Sequence, residues 1–151
     1  MCASPPTGAR PDGRARIAYR IKQLELAIRA DIDVMARAHG ITAVQYTALT
    51  VLRRQPGMSG AQLARRSFVS AQAGSEMIAH LERKALVRRD PHPSNRRILC
   101  IRLTEEGQAV VNACEVEMEK IEGRMLDGVA TDGASELYEI LDVCIRNLAG
   151  R

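Results

Sequence analysis

Aromatic residues are scarce in this chain of 151 residues, which has no Trp, one Phe and three Tyr. Packed β-sandwiches rely on aromatic and β-branched side chains, so a core of Leu, Ile, Val, Ala and Met favours helices. The four cysteines are widely separated and form no C-x-x-C or Cys/His cluster, which argues against a zinc site. We therefore expect a mainly helical protein that needs no metal and no cofactor.

Long apolar runs are missing as well. No stretch approaches the ~20 residues that span a bilayer, and the segment from Met1 to Pro11 lacks the apolar core of a secretory signal. Residues 1–13 contain three Pro and two Gly and are predicted to form a flexible tail. These features predict a cytoplasmic protein with no membrane partner.

Positive charge is concentrated in the middle of the chain. Residues 42–104 hold eleven Lys/Arg and three Asp/Glu, a net charge of +8, whereas residues 1–41 carry +3 and residues 105–151 carry −7. Clustered positive charge is typical of proteins that bind polyanions. A solvated basic face without a partner is the alternative.

The apolar spacing predicts helices at both ends of the chain. Steps of three and four begin at Ile17 and end near Met35, and Gly40 is the expected stop. A second seam runs through Val111, Cys114, Met118, Ile121 and Met125, and a third through Leu137, Ile140, Leu141, Cys144 and Leu148. Helices of this length are too long for so small a body to bury, which favours self-association.

The central segment predicts shorter elements. Thr42, Ser59 and Ser70 are candidate N-caps for three helices, the last ending near Lys84. Alternation of Leu99, Ile101 and Leu103 with polar or small residues predicts a half-buried strand. Val87 to Asp90 is its candidate partner, and residues 91–95 are the predicted loop because they include two prolines.

The predicted order is α-α-α-α-β-β-α-α, which is a winged helix-turn-helix with long terminal helices. Residues 42–104 are the predicted DNA-binding lobe, and residues 14–41 and 105–151 are the predicted dimerisation helices of one overall domain. In such a lobe the second helix of the motif enters the major groove with its N-terminal turns first.

Five segments of the chain resemble a known family: Ser59 to Arg66, Ser70 to Leu81, Glu82 to Arg89, Asn95-Arg96-Arg97, and Leu103 to Gly107. They are similar to the MarR family of transcriptional regulators, and the similarity extends over about residues 14–150. The resemblance implies a homodimer that binds a pseudo-palindromic operator in double-stranded DNA, usually as a repressor released by a small ligand or by oxidation. It also implies that the first, fifth and sixth helices interlock between two chains.

The candidate DNA contacts lie on the motif and the wing. Gln72 and Ser75 are placed to read bases, Ser70 to bind phosphate and Arg97 to enter the minor groove. Asn95 replaces the acidic residue common in the family, so Asp90 is the candidate for orienting Arg97. The full candidate set is Ser59, Ser70, Gln72, Ala73, Ser75, Glu76, Arg88, Arg96 and Arg97.

Two positions depart from the family pattern. Gly74 interrupts the recognition helix and is interpreted as a site of close packing against a neighbouring helix. Ala85 stands where the family commonly has Gly, so its turn is strained if φ is positive.

The resemblance also suggests dimer and effector sites. The candidate dimer residues are Ile17, Ile21, Met118, Ile121, Leu141 and Leu148. A small phenolic or anionic effector would lie between the dimer helices and the lobe, near Tyr19, Arg20, Met35, His39 and Tyr46. Tyr46 as a core aromatic and His39 as a helix cap are the alternatives.

Three other functions are alternatives. The first is a non-specific or architectural DNA binder, and the second is a regulator that senses oxidation through cysteine. The third is an enzyme with a cysteine nucleophile, which is disfavoured because no nucleophile motif surrounds any cysteine. Cys100, Cys114 and Cys144 fall in apolar patterns and are predicted to pack as small hydrophobic residues.

Overall fold

The computed structural model describes residues 14–150, so the predicted tail and Cys2 lie outside the described residues. The mainly helical prediction is confirmed, with one added strand. In chain order the elements are α1 (Ile17–Ala38), α2 (Ala43–Arg54), β1 (Met58–Ser59), α3 (Gly60–Arg66), α4 (Ala71–Arg83), β2 (Val87–His92), β3 (Asn95–Leu103), α5 (Glu105–Met125) and α6 (Gly133–Ala149).

Side-chain caps start the central helices, as the sequence predicts. The hydroxyl oxygens of Thr42 and Ser59 each accept the backbone N–H of the residue three positions later. In return, the side-chain oxygens of Gln45 and Gln62 accept the backbone N–H of the cap residue. Such reciprocal capping satisfies two of the unpaired donors at a helix start. The Ser70 hydroxyl accepts the Ala73 N–H at 3.2 Å. These caps fix where α2, α3 and α4 begin.

The three strands form an antiparallel sheet in the order β1-β3-β2. The predicted loop at residues 91–95 is too long, because β2 runs to His92 and β3 starts at Asn95, which leaves a turn at residues 93–94. Pro91 pairs with Leu99 in the register. A proline fits there because β2 is an edge strand, where the missing N–H leaves no central ladder bond unmade.

The alternating burial predicted for β3 is also wrong. Cys100 and Ile101 are both buried, at 2% and 1% exposed, whereas Leu99 is 46% exposed. Residues 100 and 101 lie between β1 and β2 where helices pack on the sheet, but Leu99 lies in the projecting part that only β2 flanks. Burial along β3 therefore depends on how close a residue lies to the helices of the lobe, and it does not alternate between the two faces of the strand.

The described chain divides between Glu117 and Met118 into two compact units. The core of the first unit is built from α2, α3, α4, the sheet and the start of α5, and its fully buried side chains include Leu49, Leu52, Leu63, Leu81, Ile101 and Val111. The second unit contains α6, which has no buried residue. Cys100 and Cys114 are buried as predicted, but Cys144 on α6 is exposed, contrary to the prediction.

Candidate nucleic-acid interface

The helix α4 has one buried face and one exposed face. Gly74, Met77, Ile78 and Leu81 are buried, at the three- and four-residue spacing that aligns side chains on a helix. The intervening candidates are exposed: Gln72, Ala73, Ser75 and Glu76. The lobe therefore presents a short polar surface at the start of α4.

Gly74 packs against α3. A Cβ atom at this position would lie 2.4 Å from Ala64 Cβ, much closer than non-bonded carbon atoms approach each other. This confirms the interpretation of Gly74 as a packing residue. Its lack of a side chain sets how closely α3 and α4 approach, and hence how the exposed face of α4 is held.

Ser59 and Ser70 both serve as N-caps, of α3 and α4 respectively. Their hydroxyl oxygens accept backbone N–H groups, so each O–H remains able to donate to an anion. The first N–H groups of α4 add to the positive end of the helix. Ser70 thus combines a structural role with a geometry that suits phosphate.

The two long side chains on the exposed face of α4 contact each other. Gln72 Nε2 donates to Glu76 Oε1 at 3.4 Å. The contact turns the Gln72 amide toward Glu76 and leaves the amide oxygen open as an acceptor. Glu76 therefore acts on the orientation of Gln72 in the free protein.

The wing is formed by the two-stranded end of β2 and β3. Arg96 and Arg97 are exposed there, and neither makes an ion pair within residues 14–150. Asn95 Oδ1 accepts the Arg97 backbone N–H at 3.1 Å. Asn95 thus fixes the backbone of the wing and leaves the Arg97 guanidinium free to meet a partner.

Asp90 does not orient Arg97, and that prediction is wrong. Its carboxylate lies 3.0 Å from Arg88 Nε and 3.5 Å from Arg102 Nε. The register explains this, because Arg88 and Arg102 face each other across β2 and β3 near the body of the lobe. Arg88, a candidate DNA contact, is therefore already paired in the free protein.

Arg65 and Arg66 are two further cations of the lobe, and they were not among the residues predicted to contact DNA. Both are exposed in the last turn of α3, just before the turn that leads into α4. Neither is paired with an acidic group among residues 14–150. The concentration of charge in residues 42–104 was the signal that could have found them.

The candidate effector residues are spread along the chain. Tyr19 and Arg20 are exposed in the first turn of α1, and Met35 is buried fifteen or more residues later. At 1.5 Å per residue that separation is about 23 Å along the helix. His39 is the C-cap residue of α1, and Tyr46 is buried in α2. The described chain therefore does not bring these five residues together.

The candidate dimer residues differ in exposure. Ile17, Ile21 and Leu148 are exposed, Met118 and Leu141 are half-buried, and Ile121 is 8% exposed. Further exposed apolar side chains on α6 are Tyr138, Ile140, Val143 and Ile145. Most of the Ile121 surface is thus covered within one chain, whereas α6 carries an apolar surface that is open to solvent.

Neither a metal site nor a membrane span is present in residues 14–150. No group of three or more His, Cys, Asp or Glu side chains there is arranged to hold a metal ion. Within the same residues, no helix combines the length and the apolar character needed to cross a membrane.

The chain is similar to known winged-helix regulators. A sequence profile described as "MarR family" matches residues 39–98. The HTH-type transcriptional repressor Rv2887 of Mycobacterium tuberculosis is 26% identical over 128 residues, which cover 85% of this chain and 92% of that protein. The crystal structure of the transcriptional regulator PA4135 superposes with a TM-score of 0.76 at 26% identity, covering 88% of this chain and 98% of the other.

A third similarity is to the transcriptional repressor CouR. Its structure with a 23-mer DNA duplex gives a TM-score of 0.75 at 22% identity and covers 86% of this chain and 92% of that chain. CouR from Rhodococcus jostii has also been solved with p-coumaroyl-CoA. At this identity the likeness establishes the winged-helix fold.

Proposed function

We propose that the chain is a member of the MarR family of DNA-binding transcriptional regulators, to which residues 39–98 are similar, and that it acts as a homodimer that represses transcription from a pseudo-palindromic operator. It is a regulator and not an enzyme. The observation that carries the proposal is that one compact unit has both an exposed polar face at the start of α4 and a wing with two arginines that are unpaired among residues 14–150. The first offers donors and acceptors for base edges, and the second offers cations that suit phosphate and the minor groove.

We assign roles to the candidate contacts as follows. Gln72 and Ser75 read base edges in the major groove, and Ser70 donates to a phosphate at the start of α4. Glu76 positions Gln72 through their 3.4 Å contact. Arg97 enters the minor groove and Arg96 faces phosphate. Ser59, Ala73 and Arg88 complete the surface, with Arg88 held by Asp90 until DNA is bound.

The dimer is supported by the exposed apolar side chains of α1 and α6. A monomeric soluble protein rarely leaves so many large apolar residues open along two helices. A second copy of the chain is the occupant that would cover them, with residues 14–41 and 105–151 as dimerisation helices and residues 42–104 as the DNA-binding lobe. Two copies of α4 would then lie about 34 Å apart, one turn of DNA.

Relief by a small effector is supported by the relatives. A phenolic or anionic molecule is the class we favour, since CouR has been solved with p-coumaroyl-CoA. Because Tyr19 and Arg20 lie far along α1 from Met35 and His39, an effector site that uses both groups would need residues of two chains. This site is therefore tied to the dimer.

The test measures DNA binding and mass together. Duplexes selected by the protein from fragmented host DNA are compared with a random duplex, with binding followed by fluorescence anisotropy. A specific regulator binds its selected duplex about 10³-fold more tightly than the random one at physiological salt. Light scattering coupled to gel filtration is expected to give twice the chain mass. Equal affinity for both duplexes would instead support a non-specific DNA binder. A monomeric mass would contradict the proposal that a dimer binds a pseudo-palindromic operator.

A further inference from the structure

Three helices of the described chain end in the same hydrogen-bonded motif. At the end of α1, the Gly40 N–H donates to Arg37 O and the Ile41 N–H donates to Ala36 O, both at 3.0 Å. Gly40 has a φ of 73°. This motif requires a left-handed residue, and glycine is the usual one because it has no Cβ.

The motifs after α3 and α4 have the same bonds but different residues at the left-handed position. After α3, Phe68 donates to Arg65 O at 3.2 Å and Val69 to Ala64 O at 3.1 Å. After α4, Ala85 takes the position, as its N–H donates to Glu82 O at 2.8 Å. Phe68 has a φ of 59° and Ala85 a φ of 56°, so the strain expected at Ala85 is present at both.

Phe68 differs from Ala85 in what its side chain does. It is the only Phe of the chain, and it is 90% exposed in the turn between α3 and α4. Its neighbour Ser67 is 3% exposed, with a hydroxyl that has no hydrogen-bond partner in the described part of the chain. The turn thus buries an unpaired polar group and exposes a large ring, and both choices disfavour the folded lobe. Local strain that the rest of the fold does not compensate indicates a contact with another molecule.

The charges around Phe68 indicate what the ring contacts. Arg65 and Arg66 precede it on α3, exposed and without an acidic partner among residues 14–150. Ser70, the N-cap of α4, follows two residues later, so its Cα lies no more than about 7 Å from that of Phe68. An exposed ring between two cations and a helix start whose geometry suits phosphate matches the backbone of a nucleic acid, whose sugars are apolar and whose phosphates are anionic.

We propose that Phe68 packs against a deoxyribose of the DNA backbone next to the phosphate held by Ser70, and so positions α4 in the groove. This inference rests on the proposed function, because it needs a bound duplex. The contact is apolar and independent of sequence, and Arg65 and Arg66 would neutralise the phosphates on either side of it. Phe68 is therefore a positioning residue rather than a base reader.

The test compares Phe68→Gly with Ala85→Gly. Both substitutions place glycine at a left-handed position of the same motif, so both are expected to raise the thermal midpoint. The probe is a duplex of about 30 base pairs, three helical turns, selected by the wild-type protein from a randomised library. Phe68→Gly is expected to weaken its binding about tenfold, the order lost when a ring face is no longer buried. Ala85→Gly is expected to bind like wild type.

Salt dependence separates the ring from the charges. Phe68→Gly should leave the slope of log Kd against log salt unchanged, whereas Arg65→Ala should lower it by about one unit. Phe68→Asn is the second variant, because Asn tolerates a left-handed backbone and keeps the turn even where glycine loosens it.

The outcomes distinguish this inference from the function on which it rests. If wild type prefers the selected duplex while both folded Phe68 variants bind it within twofold of wild type, the inference is overturned and the regulator stands. A smaller salt slope for Phe68→Gly would also overturn it, since the loss would then come from displaced cations. If wild type binds no duplex, the proposed function and the inference both fail.

Discussion

Tyr46 Oη donates a hydrogen bond of 3.2 Å to Glu115 Oε1, which joins α2 to α5 within the first unit. Arg53 Nη2 lies 2.9 Å from the second oxygen of the same carboxylate. Burial and the Glu115 charge raise the pKa of Tyr46 to about 12. The only buried aromatic side chain among the described residues is thus held in place by an acidic residue 69 positions away.

The first prediction concerns the pH dependence of this contact. A tyrosine whose pKa is higher in the folded than in the unfolded chain stabilises the fold fully below the unfolded pKa of 10. That stabilisation is lost as the pH rises toward 12. We expect Tyr46→Phe to lower the free energy of unfolding by about 1 kcal/mol at neutral pH. The difference from wild type should vanish and then reverse between about pH 10 and 12.

Urea unfolding followed by circular dichroism across this pH range measures the difference. Other groups that titrate near pH 10 are common to both proteins and cancel in the comparison. Tyr19→Phe is the matched control, since Tyr19 is exposed on α1. A difference between wild type and Tyr46→Phe that stays constant up to pH 12 would contradict the assignment.

The close approach of α3 and α4 gives the second prediction. Gly74→Ala places a methyl group 2.4 Å from Ala64 Cβ. Overpacking of this kind is expected to lower the free energy of unfolding by about 1–3 kcal/mol and to weaken DNA binding, because α4 must shift. In Gly123→Ala, where nothing lies within 4 Å of the new Cβ, helix propensity instead favours the variant by about 1 kcal/mol.

The companion variant Ala64→Gly tests the cause. In the double variant Ala64→Gly/Gly74→Ala the two helices exchange their small residues, and part of the lost stability should return. Urea midpoints of the four proteins form a double-mutant cycle. Additive losses would mean that Gly74 acts through the backbone of α4 and not through contact with Ala64.

Local signals account for what the sequence predicted well. Thr42, Ser59 and Ser70 cap helices through bonds that span three residues, and Gly40 ends α1 through bonds of similar range. The exposed face of α4 follows from its period of 3.6 in the same way. A pattern that involves only residues within about one helical turn of each other can be predicted from the sequence without knowledge of the fold.

Features that depend on distant residues were missed. The strand β1 has two residues and exists only because Met58 and Ser59 pair with β3, some forty residues later. Leu99 is exposed because the sheet narrows there, and Asp90 meets Arg102 because of the strand register. No sequence periodicity indicates any of these features. The exposure of Phe68 was also missed, because Phe68 stands at a turn position that glycine usually occupies.

Asp90 provides the third prediction. Its carboxylate pairs with Arg88 and Arg102 at the surface, so Asp90→Asn should change the free energy of unfolding by less than about 1 kcal/mol. The two released guanidinium groups should strengthen binding to a random duplex and steepen its salt dependence by about one unit. Weaker binding would show instead that Asp90 holds Arg88 in its DNA-contacting position.

The fourth prediction tests the wing. Arg97→Ala removes an exposed cation that has no acidic partner among residues 14–150, so stability should not change while affinity for the selected duplex falls. If Arg97 contacts the minor groove, its loss should reduce the preference for A·T pairs. If it contacts a phosphate, its loss should lower the slope of log Kd against log salt by about one unit. Arg29→Ala on α1 is the control, because it removes the same charge outside the proposed lobe. Equal affinity of Arg97→Ala and wild type would exclude Arg97 from the interface.

The fifth prediction tests the open surface of α6. Leu148 is 70% exposed in the single chain, so a charge there costs the isolated fold little. In a dimer that covers α6, the Leu148→Lys ammonium would be buried without a partner, which is strongly unfavourable. We expect this variant to be a folded monomer by light scattering, with weaker binding to a palindromic duplex because only one lobe engages. Glu139→Lys is the control. Glu139 is nine residues before Leu148, which is about two and a half helical turns, so the two side chains lie on opposite sides of α6. The control should remain dimeric, and a dimeric Leu148→Lys variant would place the interface elsewhere.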